Sequence, residues 1–139
     1  MKLNLTKQDK WALVIILINF ALLSVISYFR YAVFDEKLYL HETIMMSEIL
    51  KQGEWIGNYG VGLHGFLFKL PVAIAFMITG ASTYVATFFH IILASITCWI
   101  FYRILACNLN LKKWSLIGLI LLISNYSFFS WSLTFHREI

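Results

Sequence analysis

Residues 11–29, WALVIILINFALLSVISYF, carry no charge. At 1.5 Å per residue a helix over this run matches roughly the 30 Å hydrocarbon thickness of a bilayer. Trp11 at one end and Tyr28 and Tyr31 at the other are amphipathic rings of the kind that settle at membrane–water boundaries. Two further runs of similar length follow, at 84–105 and 114–133. A water-soluble fold of 139 residues has too little interior to hide three such segments. The overall balance agrees, at 60% hydrophobic and 13% charged residues with a mean hydropathy of +0.77. The chain therefore reads as a single all-α integral membrane module.

The N-terminus starts with Lys2, Lys7 and Lys10 and then turns apolar. The run is longer than a signal-peptide core and no small-x-small site follows it, so an uncleaved anchor is expected. The formal net charge is +4, but the basic residues gather at the ends of apolar runs. That pattern suits membrane topology and excludes a nucleic-acid surface. Cys98 and Cys107 form no paired framework and read as small residues in or beside a span.

Between the first two long runs lies a polar island, residues 30–65, holding Asp35, Glu36, Glu42, Glu48 and Glu54. Residues 37–52 have helical spacing of Leu38, Met45 and Ile49, with Asp35 placed to cap the start and Gly53 to end it. A glycine-rich loop follows. Residues 66–79, FLFKLPVAIAFMIT, are apolar but short and carry Lys69 and Pro71, which predicts a juxtamembrane helix rather than a span.

If residues 66–79 do not cross, there are three spans, and Lys2, Lys7, Lys10, Arg103, Lys112 and Lys113 share one side. If they do, there are four spans, and the basic residues divide between the two sides. The excess of Lys and Arg in cytoplasmic loops favours three. The N-terminus is then cytoplasmic, and loop 30–83 lies on the extracytoplasmic face of the inner or plasma membrane together with Arg137 and Glu138.

On that face the chemistry-bearing residues are Asp35 and Glu36 at the membrane boundary and the cations His64, Lys69 and Arg137. Adjacent carboxylates can accept a proton from an attacking hydroxyl or amine, or hold a divalent cation. The cations are groups that would steady a phosphate. The plainer reading is that Asp35 is an N-cap and that Glu42, Glu48, Lys51 and Glu54 form a solvated helix face. His41 and His64 have no partner at metal-ligand spacing. His90, Ser95 and Thr97, inside a span, read as packing and interhelical hydrogen-bonding residues. No acid, Lys or Arg sits in the middle of a full span, which argues against a proton-coupled pump.

The run FDEKLY gives D-E-x-x-Y after an N-terminal span, followed by an acidic helix and then GEWI. This resembles the first outer loop of GT-C type membrane glycosyltransferases, such as the aminoarabinose transferase and the protein O-mannosyltransferases. HGFLFKLPVAIAFMITGAS resembles their next element, with Gly65 where the family has a proline, and HRE falls where the family often has charged residues. The resemblance runs over about residues 10–139.

It implies inverting transfer of a sugar from a polyprenyl-phosphate donor. Asp35 would be the base or would orient the acceptor, and Glu36 would support it or help bind a divalent metal if one is used. His64, Lys69 and Arg137 would bind the phosphate, with Tyr39 and Glu138 in support. It also implies a longer enzyme, so the chain is expected to be an N-terminal module, inactive by itself, whose partners are the lipid-linked donor, membrane lipids and the remainder of a larger transferase or a partner subunit. The alternative is a small non-catalytic membrane protein whose outer loop docks a partner subunit.

Overall fold

The structure, a computed structural model, describes residues 6–29, 34–59, 66–109 and 111–133; within these, side chains 34–36, 58, 59, 67, 68 and 131 are left undescribed. The described residues are helical, with no strand among them. In chain order the α-helices are α1 (Lys7–Phe29), α2 (Phe34–Lys51), α3 (Phe66–Thr79), α4 (Thr83–Arg103), α5 (Lys112–Ser124) and α6 (Tyr126–Leu133). A short 3₁₀ turn occupies Ile56–Tyr59, and a wide π-type turn, Ile104–Asn108, follows α4.

α1 begins before the apolar run because residues 6–9 cap it. The Thr6 hydroxyl accepts from the Asp9 N–H at 3.2 Å, and the Asp9 carboxylate accepts from the Thr6 N–H and hydroxyl, both at 2.8 Å. This is a reciprocal capping box with Asp in the place usually held by Glu or Gln.

α2 starts earlier than the sequence predicts, at Phe34, so Asp35 is the second residue of the helix and not its N-cap. An acid in a first turn is favoured by the helix dipole just as an N-cap is by its hydrogen bond, and the two cannot be told apart from composition. The C-terminus matches expectation. Gly53 takes φ +75°, its N–H reaches the Leu50 carbonyl at 3.0 Å, and the Glu54 N–H reaches Ile49 at 3.2 Å. That pair of bonds is a Schellman cap.

α3 has the predicted bounds. Pro71 is carried in its second turn, and Gly80 stops it with φ +82° and an N–H bond to the Phe76 carbonyl.

The predicted third span is not one helix. It divides at Asn125, whose backbone is extended (ψ 123°). The Asn125 N–H closes α5 on the Leu122 carbonyl at 3.1 Å, while its side-chain carbonyl accepts the Phe128 N–H at 3.1 Å to cap α6. Asn favours caps because its side chain competes for backbone donors. Two helical segments, Lys7–Phe29 and Thr83–Asn108, are therefore long and apolar enough to cross a membrane, and in each only 28% of the apolar window is buried.

The chain divides into two compact groups, one of residues 1–26 and 91–133 and one of 27–90 and 134–139. In the first, Ala12 and Ile16 of α1 meet Cys98, Tyr102, Ala106 and Leu119, and a second cluster joins Leu23, Ile91 and Leu133. Gly118 lets α5 lie close to the wide turn, since a Cβ there would stand 2.6 Å from Leu105 Cδ1. In the second group, Met46, Ile49 and Ile56 pack on Ala73, and Val72, Phe76 and Ala86 pack with Tyr39, Leu40 and Ile44. This clamps α2 to α3 and positions the acid-bearing helix.

Candidate functional site

Helical register decides which α2 residues belong together. Positions 35, 39, 42 and 46 follow i, i+4, i+7, i+11 and so share one face. Met46 on that face is fully buried against α3, and Tyr39 packs with the Val72–Phe76 cluster. The backbone thus sets Asp35 one turn before Tyr39 on the α3-facing side, and Glu36 at the edge of that side. The structure describes these two acids only through the backbone, and His64, Arg137 and Glu138 lie outside the described residues.

Lys69 comes to the same face from α3. Its ammonium donates to the Glu42 carboxylate and lies 4.7 Å from the centroid of the Tyr39 ring. The Lys69 side chain is 3% exposed and that of Glu42 33%. Glu42 is therefore ion-paired at the edge of the helix interface rather than simply solvated, whereas Glu48, Lys51 and Glu54 are exposed as expected. The reason is packing: once α3 docks, Lys69 falls inside the interface and needs a counter-ion, which the partly exposed Glu42 supplies. Of the predicted site residues, the structure joins Lys69 and Tyr39. To hold a phosphate, Lys69 would have to leave Glu42.

A second polar cluster, in the first group, escaped the sequence reading. The Asp9 Oδ1 accepts from the Tyr102 hydroxyl at 3.0 Å and faces Arg103 at 3.6 Å, while Oδ2 is held by Thr6. Arg103 also lies over the Trp99 ring at 5.8 Å, and Trp99 stacks on Tyr102. Asp9 precedes the apolar run. The signal in the sequence was T-K-Q-D immediately before the apolar run, a capping pattern.

One smaller expectation changes. The Ser95 and Thr97 hydroxyls donate to the Ile91 and Leu93 carbonyls, at 2.8 and 2.9 Å, within their own helix rather than between helices. Such back-bonding satisfies a hydroxyl in apolar surroundings without a neighbour. Among the described residues no group of three His, Cys, Asp or Glu could hold a metal ion.

Chemically, the α2–α3 face offers a register that groups Asp35 with Tyr39 and Glu42, and a buried cation neutralised in place. Comparison of the chain with family models, with curated proteins and with solved structures gives no match.

Proposed function

We propose that the chain is a membrane glycosyltransferase of the GT-C type, or the N-terminal module of one, acting on a polyprenyl-phosphate sugar. One observation carries this reading: D-E-x-x-Y lies on a helix directly after the first apolar run, in a register that groups Asp35, Tyr39 and Glu42 beside the juxtamembrane helix. The acceptor hydroxyl or amine attacks the anomeric carbon and gives its proton to Asp35. The bond from that carbon to the phosphate oxygen breaks with inversion, and polyprenyl phosphate leaves with the electron pair. Glu36 supports Asp35 or helps bind a divalent cation. His64 and Arg137 meet the phosphate, with Glu138 beside them, and Lys69 joins them only if it exchanges Glu42 for that phosphate.

In this reading α1, α4 and the interrupted pair α5–α6 cross the inner or plasma membrane, with the N-terminus cytoplasmic and α2–α3 on the outer face. The exposed apolar sides of α1 and α4 support contact with lipid, because residues such as Leu17, Leu22, Val25 and Ile100 remain more than half exposed.

The test is photo-crosslinking of a polyprenyl-phosphate sugar in proteoliposomes. Labelling is expected in α2 or residues 60–65, and Asp35→Asn with Glu36→Gln should reduce it at least tenfold. Labelling that ignores both substitutions sinks the assignment. Transfer by these 139 residues without further helices, lost in Asp35→Asn, would uphold the chemistry and refute the inactivity of the isolated module.

A second reading, a non-catalytic membrane protein that docks a partner subunit through its outer loop, is favoured by the Glu42–Lys69 pair. That pair consumes Lys69, one of the cations expected at the phosphate, in holding two helices together.

A further inference from the structure

The first turn of α1, the end of α4, the wide turn 104–108 and the start of α5 surround a cleft of about 380 Å³, all within the first compact group. That volume falls in the range of roughly 300–1,000 Å³ common to small-ligand sites. Three cations, Lys7, Arg103 and Lys112, line it against one carboxylate, Asp9.

The charges are not equivalent. Asp9 is 6% exposed, with Oδ2 held by Thr6 and Oδ1 by Tyr102 and Arg103, so it presents no free oxygen to the cleft. The Arg103 side chain is 41% exposed, and its planar fork keeps donors beyond those turned to Asp9. Lys7 and Lys112 are exposed and have no ion-pair partner among the described residues. No acid stands in the first turn of α5, and its N-cap, Leu111, offers no side-chain oxygen. Three elements therefore converge cations on one hollow whose single carboxylate, Asp9, is already engaged by Thr6, Tyr102 and Arg103. The wide turn beside it is a distortion that recurs at functional sites.

We propose that this cleft binds a phosphate group, with Lys7 and Lys112 as point charges and Arg103, braced by Asp9 and Trp99, as the planar donor. The phosphate is that of an anionic lipid headgroup or of a soluble phosphate ester. The site does not depend on sugar transfer and lies in a different compact group from the acid pair.

The test uses the full chain in phosphatidylcholine nanodiscs doped with phosphatidylglycerol, with retained lipid counted by native mass spectrometry. Inorganic phosphate is titrated separately into the detergent-solubilised chain by phosphorus NMR. Lys7→Gln with Lys112→Gln should weaken binding at least about tenfold, equivalent to about 1.4 kcal/mol. Lys10→Gln with Lys113→Gln removes the same charge outside the cleft lining and should change binding less than twofold. Retention of phosphatidylglycerol alone identifies the headgroup as the source, and binding of inorganic phosphate as well identifies phosphate in general. Binding of neither probe, or equal losses in the two double variants with unchanged helical circular dichroism, overturns the proposal.

Discussion

Breaking the Glu42–Lys69 pair from its two ends should have unequal effects, because the two side chains differ in access to water: 3% exposed for Lys69 and 33% for Glu42. Glu42→Leu leaves an ammonium almost fully enclosed between α2 and α3 with no counter-charge. Removing one partner of a buried pair costs about 3–5 kcal/mol, and the one-third-open carboxylate position admits water, so the lower end applies, about 3 kcal/mol. Lys69→Met leaves a carboxylate that water already reaches. It forfeits the ammonium–Tyr39 contact, worth about 0.5–1 kcal/mol, and its expected total is about 1 kcal/mol.

The double variant Glu42→Leu with Lys69→Met replaces the pair by apolar groups of similar size, which is commonly neutral to within about 1 kcal/mol. The single effects sum to about 4 kcal/mol, so the double-mutant cycle should return a coupling near 3 kcal/mol. Unfolding by added denaturing detergent in mixed micelles, followed by circular dichroism, supplies the free energies. Hydrogen exchange on α2 and α3 confirms where they act. Two results would refute the reasoning: a double variant as damaged as the sum of the singles, or a Lys69→Met effect larger than that of Glu42→Leu.

Thr6→Ala should cost about 1 kcal/mol and fray the first turn of α1, read as faster amide exchange at residues 7–9. Gly80→Ala should cost about 1 kcal/mol from backbone strain alone, because φ is +82° and nothing lies within 4 Å of the new methyl; a larger loss would mean that α3 and α4 lose their packing. Asn125→Leu should merge α5 and α6, raising amide protection at residues 125–128, whereas unchanged protection would show that the break is not made by the Asn side chain.

The elements themselves were legible in the sequence. Residues 66–79 form the predicted helix because their apolar content and the flanking glycines leave one solution, and Gly53 ends α2 because the left-handed turn there suits it. What escaped was set by single polar residues acting on the backbone or across helices. Asn125 sits in a run whose average hydropathy hides it, yet one side-chain carbonyl divides the run. The start of α1 was hidden because Asp9 lies before the apolar run and belongs to no motif read there; its partners Tyr102 and Arg103 lie more than ninety positions away, and no spacing rule reaches that far. The acid pair illustrates the same division. Register on α2 follows from the sequence, but the engagement of Lys69 by Glu42 depended on how α3 docks, which local pattern does not encode.

The wide turn at Ile104–Asn108 closes on the bond from the Leu109 N–H to the Ile104 carbonyl, five residues back instead of four, so it holds one residue more than a regular turn. It acts as a length reserve. A deletion within 104–108 could be absorbed by tightening the ring to the ordinary α-helical ladder, whereas the same deletion near Ile96 would rotate everything beyond it by about 100°. This segment, beside the basic cleft, is where the chain can lose one residue without a break in the helical ladder.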